Sequence, residues 1–176
     1  MAEFNACAHL VNDKNFEAAS KMYDELLASG KDPFGVMLDM QRSLQKNLAV
    51  LYPERCIDPD HIDTVGQSVD WLREQRDSLN DEFEEYIEAL PGVSAYDEKT
   101  RTSVWKKWKS KYPTIRDLQL SSLSPEDLVE LQFEFIDMLH FFMNAAFVPR
   151  LDAKSIFVMY YLKNAENFDR WNNRAY

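Results

Sequence analysis

Phe133 to Val148 reads Phe-Glu-Phe-Ile-Asp-Met-Leu-His-Phe-Phe-Met-Asn-Ala-Ala-Phe-Val, the most apolar helix-length stretch of the chain. A helix that is apolar nearly all round has to be buried. This one also carries Glu134 and Asp137 one turn apart. A buried carboxylate is costly unless a cation or several hydrogen-bond donors meet it. The stretch therefore has to sit inside an assembly of helices that supplies something for two acids. Glu82 and Glu85 repeat the three-residue spacing further up the chain, and the expectation is that the two acidic pairs face each other.

The rest of the sequence agrees with an all-α fold. Glycine occurs only four times in 176 residues, seven prolines fall near apparent helix ends, and no convincing strand-like alternation is present. The length suits one domain, 1–176, with a real core. No apolar run reaches transmembrane length uninterrupted, since the best candidate holds two acids and a histidine. The N-terminus lacks the basic and apolar parts of a signal peptide. Two cysteines, Cys7 and Cys56, are too few for a disulfide framework, so a reducing cytoplasm is expected. A formal net charge of −10 argues against non-specific binding to nucleic acid or an anionic membrane. Such a chain can still take a phosphate ester if divalent cations lie between the two.

Helix boundaries follow from capping chemistry. Residues 3 to 28 read as one or two short helices stopped at Gly30. Asp32-Pro33 is a cap followed by proline at the first position, opening a helix to about Leu51 with Val36, Met37, Met40, Leu44 and Leu48 as its apolar stripe. Pro53 to Pro59 is a loop. Asp63 or Thr64 caps a long helix to about Leu90, broken by Pro91-Gly92. A shorter helix covers Lys99 to Tyr112. Ser124-Pro125-Glu126-Asp127 opens the apolar helix, which Val148-Pro149 ends. Asp152 caps a last helix through about Phe168.

Each helical residue turns about 100°, which sorts the acids. In the long helix Leu72, Leu79, Phe83, Tyr86 and Leu90 share an apolar side. Glu82 and Glu85 lie on its shoulder, in line with Trp71, Gln75 and Ser78, while Asp81, Glu84 and Glu88 point away. In the apolar helix Glu130, Glu134, Asp137, Phe141 and Asn144 fall on one narrow stripe. Four carboxylates from two antiparallel helices can enclose hard cations, and magnesium prefers oxygen ligands with waters and substrate phosphates completing its shell. The bland alternative pairs each acid with a lysine or arginine. The last helix places Lys163, Asn167 and Arg170 at i, i+4 and i+7 with Asn164 adjacent, donors that suit triphosphate oxygens, or else a solvated face. Its apolar side carries Ile156, Phe157, Tyr160, Tyr161 and Phe168. The basic run Lys106, Lys107, Lys109, Lys111 around Trp105 and Trp108 reads as a solvated face with two buried rings. His140, three residues past Asp137, is a metal ligand or a polar residue inside the core; His9 and His61 offer no ligand spacing with it.

The combination Glu82-x-x-Glu85, Glu134-x-x-Asp137 and Lys163-Asn164-x-x-Asn167-x-x-Arg170 resembles the all-α nucleoside triphosphate pyrophosphohydrolases, the group of dimeric dUTPases and MazG-like enzymes, and within it the branch found in T-even-type bacteriophages. The stretches KDPFGVMLDMQRSLQ, WLREQRDSLNDEFEEY, VWKKWK, LSPEDLVELQFEFIDMLHFF and YYLKNAENFDR carry the resemblance over almost the whole chain. It implies magnesium ions held by Glu82, Glu85, Glu134 and Asp137, with Glu82 deprotonating the attacking water. It implies cleavage of dCTP and dUTP between the α- and β-phosphates, with activity on diphosphates left open. Lys163, Asn164, Asn167 and Arg170 would then stabilise the leaving pyrophosphate. Gln41, Gln45, His140 and Phe141 would meet the base. Related dUTPases tend to have asparagine where Gln45 stands, so base choice does not carry over. The tail Asn172-Asn173-Arg174-Ala175-Tyr176 also departs from the family's frequent Gly-Tyr. A homodimer in the host cytoplasm, a place in a deoxynucleotide-synthesis complex, and removal of dCTP and dUTP from a phage precursor pool are further implications of the resemblance.

Two other readings compete with it. A ferritin-like di-metal protein needs Glu-x-x-His on two helices, and this chain has one acid-x-x-His, Asp137 to His140. A non-enzymatic acidic helical protein binding a host factor fits the charge but leaves the buried acids unexplained.

Overall fold

The structure is a computed structural model and describes residues 10–92, 95–101 and 115–172. Every regular element among them is helical, in the order α1 (Asp13–Ala28), α2 (Pro33–Leu51), a 3-10 turn at Pro59–His61, α3 (Val65–Ala89), α4 (Glu98–Arg101), a 3-10 turn at Leu120–Ser122, α5 (Pro125–Ala145) and α6 (Ala153–Asn172). The all-α expectation is borne out.

The caps read from the sequence are in place, and each satisfies a backbone N–H that a helix start would leave unbonded. The Asp32 carboxylate accepts from the N–H of Phe34 at 3.1 Å, with Pro33 opening α2. Thr64 and Gln67 exchange bonds reciprocally: Gln67 N–H donates to Thr64 Oγ1 at 3.2 Å, and Thr64 N–H donates to Gln67 Oε1 at 3.0 Å. That pair is a capping box. Ser124 Oγ accepts from Asp127 N–H at 3.0 Å, and Asp152 Oδ1 from Ser155 N–H at 2.7 Å. Past the end of α3, Gly92 has φ +87°, and a Cβ there would stand 3.0 Å from Asp127 Oδ2. Only glycine meets both demands. The last helix runs four residues beyond its expected end at Phe168. Of the helix expected over Lys99 to Tyr112, α4 holds the start; Trp105, Trp108 and the lysines around them lie outside the described residues.

The chain divides into two compact units, one of Met1–Lys21 with Arg73–Phe142, the other of Met22–Leu72 with Met143–Tyr176. In the first, Ala89, Ile115 and Leu131 are buried, and Ile87 and Tyr96 pack on Ile115. In the second, Leu38, Ile62, Trp71, Met143 and Phe147 are buried. There the Arg42 guanidinium lies 4.5 Å from the centre of the Phe147 ring and also bonds Asp60, which Lys46 meets from the same helix. This ties the Pro59–His61 turn to α2.

Two helices bury only part of the apolar stripe read from their sequence. In α3 the line Trp71, Gln75, Ser78, Glu82 is buried or half-buried, whereas Leu72 and Phe83 are exposed. In α2 Leu38 and Gln41 are buried, whereas Met37, Met40 and Leu44 are exposed. The buried Gln41 is accommodated by a hydrogen bond to Asn144.

Candidate functional site

The α5 stripe is buried as expected. Glu130, Glu134 and Asn144 are each under a tenth exposed, and Asp137 and Phe141 are half-buried. Asp127, one turn before Glu130, is also buried, so α5 brings a line of four carboxylates into the first unit. Glu130 and Asp127 have partners of their own. Glu134 is 6% exposed and meets no cation or hydrogen-bond donor among the described residues.

From α3, Glu82 and Glu85 come to the same place. Glu82, Glu85 and Glu134 can each offer one carboxylate oxygen such that all three lie within 4.8 Å of one another. Of the second acidic pair, Glu134 comes to face the first. Asp137 stands outside this group of three, with its Oδ1 3.7 Å from His140 Nδ1. Its charge still acts on the group. Burial pushes the Glu134 carboxyl up to about 7, and the charges of Glu85, Asp137, Glu82 and Glu130 add to the rise. Glu82 is raised by burial first and by Glu85 and Asp137 after it. Asp137 is raised by burial, against an opposing pull from His140. Crowded acids with raised affinity for protons equally have raised affinity for any cation that can replace the proton. The donor set is oxygen throughout, which suits a hard divalent ion better than a thiophilic one. His140 and Phe141, the base candidates of this unit, lie one turn beyond Asp137 on α5 and are both half-buried.

In the second unit the sequence candidates have different surroundings. Gln41 is 4% exposed, and its Nε2 donates to Asn144 Oδ1 at 2.9 Å. Trp71 Nε1 donates to the backbone carbonyl of the same Asn144 at 3.0 Å. Gln41, Asn144 and Trp71 thus form one buried polar link between α2, α3 and the end of α5. Neither Asn144 nor Trp71 had a role in the sequence reading, although helical phase had already put Asn144 on the acidic stripe. Gln45 is half-buried one turn beyond Gln41. On α6, Lys163 and Asn164 are exposed, Asn167 and Arg170 are half-buried, and Arg170 Nε donates to Glu166 Oε1 at 2.7 Å.

No helix among the described residues is long and apolar enough to cross a membrane. Comparison with known proteins finds 43% identity over 173 residues with the dCTP pyrophosphatase of Enterobacteria phage T4, covering 98% of this chain and 99% of that protein. The dCTP pyrophosphatase of Enterobacteria phage LZ5 is 45% identical over 176 residues, the full length of both. A DNA replication protein of phage T4 is 43% identical over 164 residues, which is 93% of this chain but 41% of that protein. No family model matches the chain, and no solved structure does.

Proposed function

The chain belongs to the phage dCTP pyrophosphatase family, and from that premise we propose that it hydrolyses dCTP, and dUTP beside it, to the nucleoside monophosphate and pyrophosphate with magnesium as cofactor. The observation that carries the reading is 43% to 45% identity over essentially the whole chain to two proteins of that name. The convergence of Glu82, Glu85 and Glu134 supports it, because a substrate with four negative charges approaches such a cluster only through cations. Glu82, Glu85, Glu134 and Asp137 would hold the metal. When bound, magnesium supplies charge neutralisation of the polyphosphate and a more acidic water.

In the reaction the oxygen of water adds to the α-phosphorus, and the bond from that phosphorus to the α–β bridging oxygen breaks. The bridging oxygen leaves with pyrophosphate, and the water proton passes to a Glu82 carboxylate oxygen. A carboxylate with a raised pKa is a better match for that transfer than an ordinary glutamate. Phe141, on the acidic face of α5, is proposed to stack on the pyrimidine, with His140 beside it. Gln41 and Gln45 supply amides able to donate and accept. Lys163, Asn164, Asn167 and Arg170 supply donors for phosphate oxygens. The product set removes cytosine and uracil triphosphates from a phage precursor pool, and two copies of the chain associate as a homodimer.

Phosphorus NMR of each deoxynucleoside triphosphate, incubated with the protein and magnesium or with chelator, tests the reaction. The expected outcome is monophosphate plus pyrophosphate from dCTP and dUTP, with magnesium only. Intact dCTP, or orthophosphate in place of pyrophosphate, would overturn it.

A further inference from the structure

Asn144, on the last turn of α5, is 1% exposed and is held by side chains from two other helices. Asn144, Trp71 and Gln41 all belong to the second unit. The backbone carbonyl of Asn144 accepts from Trp71 Nε1 at 3.0 Å, which fixes where the residue stands. Its side-chain Oδ1 accepts from Gln41 Nε2 at 2.9 Å. Gln41 is itself only 4% exposed. Its other amide atom, Oε1, takes no hydrogen bond from any of the described residues. An amide oxygen left unmet in a side chain so little exposed is costly, and a donor arriving on a ligand offsets that cost. Asn144 thus decides which end of the Gln41 amide is left over for a ligand.

We propose that Asn144 is a positioning residue for pyrimidine choice: it forms with Gln41 an amide pair that flips as a unit, so that one site reads both cytosine and uracil. The inference rests on the hydrolysis of dCTP and dUTP proposed above, with Gln41 meeting the base. The two pyrimidines differ at ring position 4, where cytosine carries an amino donor and uracil a carbonyl acceptor. A side chain of fixed polarity satisfies one of these and opposes the other. An amide carries a donor and an acceptor at nearly equal reach. With Gln41 Nε2 bonded to Asn144 Oδ1, as in the structure, Oε1 is presented and takes the cytosine amino group. With both amides flipped, Asn144 Nδ2 donates to Gln41 Oε1, and Gln41 Nε2 is presented to uracil O4. The bond between the two amides is made in both arrangements, so neither pyrimidine costs the protein a buried hydrogen bond. A carboxylate or an ammonium group in place of Asn144 could not do this, because each has a single polarity. Trp71 does not oppose the flip, since it holds the backbone of Asn144 and not its amide.

Isosteric variants that remove one polarity test the pair, read as the ratio of kcat/KM for dCTP to that for dUTP with saturating magnesium. Asn144→Asp keeps the acceptor and loses the donor, which pins Gln41 with Oε1 toward the base. Assay at about pH 8 favours the ionised carboxylate. The wild type is expected to use both substrates with kcat/KM values within about tenfold of each other. In Asn144→Asp the ratio is expected to rise about ten- to a hundredfold, the effect of setting one acceptor against another. The added charge acts on both triphosphates alike, so it drops out of the ratio. Gln41→Glu removes the donor from the other side and is expected to move the ratio the same way, so the test survives if one variant does not fold. Asn144→Leu releases Gln41 without choosing an end; it is expected to weaken both substrates and leave the ratio within about threefold of wild type. An unchanged ratio in either folded isosteric variant, or a ratio moved toward dUTP, would overturn the pair and leave the hydrolysis standing. A leucine variant that shifts the ratio as far as Asn144→Asp would overturn it too, because loss of packing alone would then suffice. A wild type that hydrolyses dCTP but not dUTP would overturn the pair alone. One that hydrolyses neither would overturn the enzyme reading and the pair with it.

Discussion

Glu134 concentrates the chemistry of the first unit in one side chain. Its carboxyl is 6% exposed and raised to about 7 from an ordinary 4.5, so the folded chain binds this proton more tightly than the unfolded chain. Its contribution to stability is therefore complete below about pH 4.5 and lost as pH rises through about 7. The loss is on the order of 3 kcal/mol for a group so little exposed. Two outcomes follow from one substitution. In chelator, wild-type protein should lose stability in urea between pH 5 and pH 8, and Glu134→Gln should lose much less. Parallel pH dependences would remove Glu134 as the source. With magnesium present, the wild type should recover by about 2.7 kcal/mol when the ion is at a hundred times its dissociation constant, and the variant should not. Turnover of dCTP should fall in the variant by about 10² to 10³ or more, the scale of removing one preorganised electrostatic group. A folded Glu134→Gln protein with wild-type turnover would take this residue out of the site.

At the scale of elements, helix ends were legible in the sequence and helix faces only partly so. Asp32, Thr64, Ser124 and Asp152 announce their helices because a short polar side chain next to a helix start has one efficient use, and all four make the bond. Thr64 gives a clean test, since its hydroxyl and Gln67 hold each other at the start of the 25-residue α3. Thr64→Ala should cost about 1 kcal/mol by thermal or urea unfolding, and no measurable loss would mean that the box is not formed in solution. Faces are harder because apolar periodicity shows which side avoids water without showing what will cover it. In α5 the acids sat among large apolar groups, so burial and chemistry pointed to one stripe, and Glu134 could be singled out. In α2 and α3 the buried positions mix apolar with polar, Leu38 with Gln41 and Trp71 with Gln75, while Met40, Leu44 and Phe83 are exposed. Asn144 was missed for the same reason. A lone asparagine on a helix face carries no sign that a glutamine 103 residues earlier will bond it.

For the whole molecule, the dominant property is a formal net charge of −10, and it bears on the substrate. A nucleoside triphosphate is itself an anion. Its encounter with this chain is opposed by a field that reaches about 30 Å at 0.01 M salt and about 10 Å at 0.1 M. The cationic side chains proposed for the phosphates act over a short range, and Arg170 already spends part of its charge on Glu166. Net repulsion should therefore govern the approach. At a fixed, saturating concentration of free magnesium, kcat/KM for dCTP should rise by about two- to fivefold as potassium chloride increases from about 0.01 to about 0.15 M. A nucleic-acid-binding protein behaves in the opposite way, because its basic face loses affinity steeply as salt is added. A steep fall in kcat/KM over the same range would mean that a local cationic surface steers the triphosphate in. Lys163→Ala would then be the next variant to measure, since Lys163 is exposed on α6 and would be the first of the proposed phosphate contacts to feel the change.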